Sequence, residues 1–269
     1  MAKRVEDDFE LTRQLIVEFI GTFALMFFGG GAIIVTAAEG LGANAGLLVV
    51  ALAHGLAIGL MVAAAGHISG GLYNPALTVG LMVTGRMPSV RGVAYIVTQC
   101  VGSLIAALAL KAIFDASQID AVKLGVPLVG ARYEVTAALL AEIIATFFLM
   151  YAVFGTAVDP RGAKSIAGLV IGLTITIGVL AIGPVSGAAL NPARAIGPEI
   201  AQGEFGDFWI YWVGPIGGAA LAALLYNYIL MPGAITPEAG RVESEPTEAH
   251  NIERESRSQP RPQQRRRKR

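Results

Sequence analysis

Long apolar stretches alternate with short polar connections along most of the chain. A membrane-spanning α-helix needs about 20 predominantly apolar residues to cross roughly 30 Å of hydrocarbon. Six stretches approach or exceed that length, at about residues 12–36, 45–65, 90–114, 133–158, 165–182 and 208–230. The pattern therefore predicts an all-α membrane protein with six transmembrane helices.

Two shorter segments, at about residues 74–84 and 186–201, carry the same tripeptide after a small-residue loop that begins with Ser-Gly. The two copies are Asn74–Pro75–Ala76 and Asn191–Pro192–Ala193. Asn is a preferred N-cap and Pro suits the first helical position, so both copies predict helix starts. One Asn-Pro alone is a common turn signal. Two copies in matching apolar settings favour half-helices that begin inside the membrane, where irregular backbone must be covered by protein or line a water-filled cavity.

The order of elements is span, span, half-helix, span, repeated once. Glu18 and Glu142 begin similar strings in the first span of each repeat. Three spans per repeat is an odd number, so the second repeat must be inverted, and the two re-entrant half-helices meet near the membrane midplane, the arrangement of a transport site. We expect a channel domain at 11–231, with repeat one at about 11–114 and repeat two at about 133–231.

Basic residues near the span ends predict the orientation. Arg13, Arg86, Arg91 and Arg161 all fall on the side of the two termini, whereas the first and last loops of the other side contain no Lys or Arg. By the positive-inside rule both termini are cytoplasmic. The printed sequence has no organellar presequence, so the expected location is the plasma membrane, crossed several times.

Composition agrees with a membrane body followed by a polar tail. The chain is 54% hydrophobic and only 15% charged, against about a quarter charged in soluble domains. Residues 1–10 form a polar N-terminal segment. The tail at 232–269 is rich in Pro, Glu, Ser and Arg, which predicts a disordered cytoplasmic end, and its basic terminus is a candidate for contact with anionic lipid.

Candidate chemistry for an enzyme is missing from the sequence. The single cysteine, Cys100, excludes a disulfide within the chain, and there is no metal-binding spacing of His and Cys. There is no nucleophile–base pairing and no phosphate loop. We therefore expect no catalysis, no cofactor, no bound metal and no nucleic-acid partner.

The chain resembles the aquaporin (major intrinsic protein) family over about residues 10–231. The resemblance depends on Glu18, on Glu142, on the string at 66–70 that leads to the first tripeptide, and on Arg194 directly after the second. It implies six tilted helices plus two half-helices, a homotetramer with one pore per subunit, and a passive channel for water and small neutral solutes that excludes protons and ions.

The resemblance also assigns roles to the residues of the two repeats. Glu18 and Glu142 would brace the half-helix loops by accepting backbone N–H bonds. The side-chain amides of Asn74 and Asn191 can donate hydrogen bonds to a passing water. Each half-helix N-terminus carries about half a positive charge, so two facing ends disfavour cations, including hydrated protons.

By resemblance, a narrow outer selectivity filter consists of His54, Val179, Ala188 and Arg194. Strict water channels of the family have Phe at the position of His54 and His at that of Val179, so this set is more similar to plant vacuolar-membrane aquaporins, several of which pass ammonia. Ammonia and hydrogen peroxide are therefore further candidate permeants. Taken without the family spacing, His54 would be interpreted as a core histidine bonded to a neighbouring helix.

Three alternatives have sequence features of their own. Glycerol facilitators share the fold but usually have Asp after the second motif's Arg, where this chain has Ala195, although Glu199 stands where a small residue is usual. An ion-coupled transporter would use the intramembrane Glu18 and Glu142 as acid relays, and its flux would depend on membrane potential or a pH gradient. A structural junction protein would have an occluded pore.

Overall fold

The computed structural model describes residues 2–231, with side chains from Phe9 onward, and the predicted tail at 232–269 lies outside the described residues. Its α-helices are α1 (Ala2–Ala38), α2 (Ala43–Ser69), α3 (Pro75–Val83), α4 (Ser89–Ile113), α5 (Ala116–Ala121), α6 (Val135–Val153), α7 (Ala167–Ser186), α8 (Pro192–Gln202) and α9 (Ile210–Leu225). Helix α1 already begins at Ala2, so the polar N-terminal segment continues the first span as one helix.

Six helical stretches are long and apolar enough to cross a membrane. They are Phe9–Ala38, Ala43–Ser69, Ser89–Ile113, Val135–Val158, Lys164–Ser186 and Ile210–Leu230. Helices α3 and α8 are the two half-helices that begin at the repeated tripeptides, and the described part of the chain contains helices and loops but no strand. The predicted fold class is confirmed, and the protein is a multi-pass membrane protein. Large apolar side chains such as Leu56 and Phe148 remain exposed on the outer helix faces, as expected where a helix meets lipid rather than water.

Glycines allow the matching spans α2 and α7 to pack with their backbones in contact. A Cβ on Gly168 would lie 2.6 Å from the carbonyl oxygen of Gly59, and a Cβ on Gly172 would lie 2.5 Å from that of Gly55. Small residues at a helix crossing permit this approach in the membrane, where no hydrophobic force drives helices together. The crossing fixes the two repeats against each other beside the molecular centre.

Both loops that lead to the half-helices begin at a left-handed glycine. Gly70 has φ 94° and its N–H donates to the carbonyl of Gly66, and Gly187 has φ 80° and donates to that of Gly183. Glycine is the residue that adopts this conformation without steric cost. Each long helix therefore ends sharply at its Ser, and the chain turns back into the protein.

The predicted polar connection at 115–132 contains structure that the sequence pattern did not predict. It holds α5 and a 3₁₀ turn at Lys123–Gly125. We call the side of the molecule with this connection the loop face, and the side where α1 begins and α9 ends the terminal face. On the terminal face α6 and α9 both continue as short π-helical segments, Phe154–Val158 and Tyr226–Leu230.

A buried carboxylate joins these segments at the terminal face. Asp159 accepts hydrogen bonds from Arg161, at 2.6 Å from Nη2 and at 2.9 Å from both Nε and the backbone nitrogen. These bonds hold the pKa of Asp159 at about 2, below its ordinary value of 3.8. Nη2 of Arg161 also donates to the carbonyl of Leu230 at 3.0 Å, so the turn after α6 is tied to the end of the last span.

A second arginine ties the first half-helix to the same place. Nε of Arg86 donates to Oδ1 of Asn227 at 2.7 Å, and its guanidinium lies 5.7 Å from the centre of the Phe154 ring. Arg86 follows α3 closely, while Asn227 and Phe154 belong to the two π-helical segments. The terminal face is therefore held together by two arginines that reach across different elements.

Candidate functional site

The two tripeptides form N-caps of α3 and α8. Asn74 and Asn191 both have extended backbone with φ −155°, and the following Pro is the first helical residue. Oδ1 of Asn74 accepts from the N–H of Ala76 at 2.8 Å, and Oδ1 of Asn191 accepts from that of Ala193 at 2.9 Å. Each side-chain oxygen thus satisfies one of the backbone donors that a helix start leaves free.

The amide nitrogens of the same two side chains connect the repeats. Nδ2 of Asn74 donates to the carbonyl of Leu190 at 2.8 Å, and Nδ2 of Asn191 donates to the carbonyl of Tyr73 at 2.8 Å. An amide nitrogen carries two hydrogens. One hydrogen of each Asn is used in this exchange, and one remains for a molecule in the cavity that both side chains line. The sequence predicted the donors but not the exchange.

Each half-helix loop is held by a buried carboxylate. Glu18 accepts from the N–H groups of Leu72 at 3.1 Å and Tyr73 at 2.7 Å, and Glu142 accepts from those of Ala189 at 2.8 Å and Leu190 at 2.7 Å. Both carboxylates are fully buried. This is the geometry expected of the loop-bracing role. That the bracing contributes to function stays a prediction.

The bracing bonds offset strain in the loops. Tyr73, Ala188 and Leu190 have φ of 50°, 48° and 51°, in the left-handed region that non-glycine residues adopt at a cost of order 1–3 kcal/mol. Such conformations persist only when surrounding contacts impose them. The carboxylates supply those contacts, and the loops thereby present the carbonyls of Tyr73 and Leu190 to the opposite Asn.

Two tyrosines complete the braces, and sequence reasoning did not assign them this role. The hydroxyl of Tyr95 donates to the carbonyl of Ser69, and that of Tyr211 donates to the carbonyl of Ser186, each at 2.9 Å. Both serines end a long helix. The repetition of Tyr at matching places in the last span of each repeat is a signal that a comparison of the two repeats could have found.

The third carboxylate that the sequence singled out is placed differently from the other two. Glu199 is buried on α8, and its Oε2 has no hydrogen-bond partner among the described residues. A buried carboxylate oxygen without a hydrogen-bond partner is costly. Glu199 braces neither loop, and its electrostatic partner is Arg194 of the same helix.

Arg194 is positioned by the polar connection of the loop face. Its side chain is 2% exposed, and Nη1 donates to the carbonyl of Gly125 at 2.8 Å. That carbonyl is presented by three successive left-handed residues, Lys123, Leu124 and Gly125, with φ of 48°, 55° and 74°. Leu124 is fully buried among apolar side chains, which anchors the turn. The sequence did not predict Gly125 as the partner of Arg194.

His54 lies on α2 with its ring almost fully buried. Nδ1 is 2.8 Å from the carbonyl oxygen of Val50. A carbonyl oxygen accepts only, so Nδ1 carries the hydrogen and Nε2 of the neutral ring is an acceptor. The tautomer is assigned from this contact. His54 is thus an acceptor and Arg194 is a donor in the same site.

A narrow cavity connects these groups. Asn74, Asn191, His54, Ala188 and Arg194 all contribute to its lining, together with aliphatic side chains of the spans. The structure therefore brings the two Asn amides and three of the four predicted filter residues to one cavity.

The fourth predicted filter residue is not among those that line this cavity. Val179 is buried on α7, and Ile171 and Ile175 of the same helix contribute to the lining. Residues four apart lie on the same face of a helix, so Val179 continues the row of Ile171 and Ile175 toward the loop face. Its assignment to the filter stays a prediction.

The fold and site together define a multi-pass membrane protein of two inverted repeats whose half-helix loops meet at a buried cavity. A family model described as "Major intrinsic protein" matches residues 6–226. The chain belongs to this family.

Curated relatives cover most of the chain. It is 41% identical over 234 residues to Aquaporin TIP4-4 of Zea mays, which covers 85% of this chain and 90% of that protein. It is 40% identical over 235 residues to Probable aquaporin TIP3-2 of Arabidopsis thaliana, covering 84% and 86%. The expected resemblance to aquaporins is confirmed.

A solved structure shows the same fold. The X-ray structure of the aquaglyceroporin from Plasmodium falciparum superimposes with a TM-score of 0.73 over 82% of this chain and 98% of that chain. At 24% sequence identity this similarity concerns the fold alone.

Proposed function

We propose that the protein is a passive transmembrane channel for water that excludes protons and ions. The observation that carries the proposal is the cavity in which two half-helix N-caps, Asn74 and Asn191, lie beside Arg194. The relatives named aquaporins support it. The proposal is of a channel and not of an enzyme.

Water passage follows from the hydrogen-bonding groups at the centre. Each Asn has one amide hydrogen beyond the bond to the opposite loop, and a water oxygen has two lone pairs for such donors. The carbonyls of Tyr73 and Leu190 each keep a second acceptor site. A passing water thus exchanges its hydrogen bonds to other waters for bonds to the channel wall, which keeps the barrier low.

Exclusion of protons and cations follows from charge and orientation. A water that accepts from both Asn amides holds both lone pairs toward them and cannot pass a proton along the file in that orientation. The N-termini of α3 and α8 add about half a positive charge each. The buried guanidinium of Arg194 supplies a full positive charge at the filter.

Solute range depends on the groups around Arg194. His54 offers an acceptor at Nε2, and Ala188 leaves room beside it. We extend the proposal to ammonia and hydrogen peroxide, because both are small, neutral and able to donate hydrogen bonds to such an acceptor.

We also propose that the channel is a homotetramer of the plasma membrane with both termini in the cytoplasm. The basic residues on the terminal face support the orientation. The tetramer rests on the family resemblance. Crosslinking of the protein in membranes, followed by denaturing electrophoresis, tests it, and a ladder that ends at the monomer would contradict it.

The test of water transport is stopped-flow light scattering on proteoliposomes shrunk with an impermeant osmolyte. Shrinkage much faster than in empty liposomes, with a low activation energy, is the expected result. A pH-sensitive dye inside the same vesicles should report no added proton leak. The matched control is Ile175→Trp, which places a bulky ring in the cavity and should return shrinkage to the empty-liposome rate. Parent vesicles that shrink no faster than empty ones would contradict the proposal.

A further inference from the structure

The imidazole of His54 occupies a notch in α1 that exists only because residue 29 is glycine. A Cβ on Gly29 would lie 2.5 Å from Nε2, 2.6 Å from Cδ2 and 2.7 Å from Cε1 of the ring. Non-bonded heavy atoms do not approach that closely. Gly29 is buried on α1, so a side chain there would have no open space to turn into.

The ring cannot withdraw from the notch along α2. Nδ1 is tied to the carbonyl of Val50, one helical turn earlier. On the other side of α2, the neighbouring Gly55 packs directly against Thr176 and Gly172 of α7. Helix α2 is therefore held between α1 and α7, and the open space next to the ring is the cavity that His54 and Arg194 both line.

We propose that Gly29 is a specificity-determining residue of the channel, because it sets how far the His54 ring projects into the cavity. The inference rests on the proposed channel function. A side chain at position 29 displaces the imidazole toward Arg194 and narrows the opening between them. Gly29 acts through His54 and is a positioning residue.

The first experiment is a double-mutant cycle on water transport. Gly29→Ala should lower water permeability several-fold and raise its activation energy, since the displaced ring obstructs the path. In a His54→Ala background the same Gly29→Ala change should have no effect, because the ring is gone. Residues that act through a direct contact show such non-additive effects.

Gly31→Ala is the matched control on the same helix. A Cβ at Gly31 would meet only Cδ2 of Leu110, at 3.5 Å, which is an ordinary van der Waals contact. This variant should transport like the parent. Equal losses from Gly29→Ala in both backgrounds, or no loss in either, would overturn the proposal.

A second experiment depends neither on the steric clash between a side chain at position 29 and the His54 ring nor on water transport by the parent. His54→Ala empties the space beside the notch and should admit urea, which is wider than water. Gly29→Val in that background refills the space from α1 and should exclude urea again. Folding of each variant is checked by gel filtration in detergent.

The outcomes separate the two proposals. A parent that conducts no water contradicts the proposed function, whereas the urea comparison still reports on the notch. Urea uptake that stays as fast in His54→Ala/Gly29→Val as in His54→Ala would overturn the role of Gly29, whatever the parent does with water.

Discussion

Arg194 is the buried cation among the side chains that line the cavity. It is buried, and its described hydrogen bond, to the carbonyl of Gly125, leaves Nε without a partner among the described residues. A guanidinium has five N–H donors. In the proposed filter, the guanidinium N–H groups that face the cavity would donate to a solute, while the charge would repel cations.

Arg194→Val should keep water transport and admit cations or larger neutral solutes. The substitution removes both the charge and the bulk that close the filter. Ion conductance and urea uptake in proteoliposomes measure the change, with the exposed Arg91→Val as the control. Selectivity equal to that of the parent would remove Arg194 from the filter.

His54→Phe should reduce ammonia passage more than water passage. Phe places a larger, apolar ring at the Gly29 notch and has no Nε2 acceptor, so it narrows the path for every solute but removes a hydrogen bond that ammonia can use. Alkalinisation of vesicles in an ammonium gradient, compared with osmotic shrinkage of the same vesicles, measures the ratio. If both rates fall equally, His54 contributes packing alone.

At this scale the sequence predicted side chains better than backbone. Asn74, Asn191 and Arg194 could be found because each is a polar residue in an apolar setting. Gly125 could not, since it contributes only a carbonyl oxygen, and two of the three left-handed residues that present it, Lys123 and Leu124, are not glycine. The notch at Gly29 could not be predicted either, because it depends on how α1 and α2 pack against each other.

At the scale of elements, the half-helix loops depend on their carboxylates. Each loop forces non-glycine residues into the left-handed region, and each obtains its backbone hydrogen bonds from a glutamate on another helix. Loop and first span are therefore one structural unit in both repeats.

Glu142→Gln should destabilise the protein by about 1–3 kcal/mol, the usual cost of leaving a buried donor unsatisfied. A carboxamide has one acceptor oxygen, so it cannot serve the N–H groups of Ala189 and Leu190 as two carboxylate oxygens do. Thermal unfolding in detergent measures the loss. Glu204→Gln, at a partly exposed carboxylate paired with Lys123, is the control and should change little.

Element boundaries were predicted less well than the elements themselves. The second span was expected to end near residue 65, yet α2 continues to Ser69. Gly66 and His67 are typical of a loop by residue type. The helix nevertheless persists to the left-handed Gly70, because Ser69 is fixed there by Glu18 and Tyr95, contacts that lie far away in the sequence.

At the scale of the whole molecule, the terminal face joins the half-helix α3 to the ends of α6 and α9. Arg161, held by Asp159, bonds to the end of the last span, and Arg86 bonds from the end of α3 to Asn227. The sequence predicted the bundle from six apolar stretches and a repeated tripeptide. It could not predict this junction, because charged residues in turns carry no periodic signal.

Asp159→Asn should lower the thermal stability of the protein at pH 7. Arg161 depresses the pKa of Asp159 to about 2 in the folded protein, against 3.8 ordinarily. A carboxylate whose pKa is lower in the folded than in the unfolded protein contributes its full stabilisation at pH values above the unfolded pKa. That stabilisation is lost as the pH falls through the folded pKa. The difference between parent and variant should therefore be constant above about pH 5 and shrink as the pH falls toward 2. A difference that persists unchanged at the acid end would mean that the carboxylate charge is not the cause.

The exchange of hydrogen bonds between the two half-helix loops has a consequence for biosynthesis. Leu190 leaves the ribosome 116 residues after Asn74, the residue whose amide it accepts. Until the second repeat has been inserted, the side-chain amide of Asn74 and the carbonyl of Tyr73 therefore lack their hydrogen-bond partners. A nonsense mutation that removes the second repeat thus also leaves the first repeat without these hydrogen bonds. Two repeats made as separate polypeptides would still contain every donor and acceptor of the exchange.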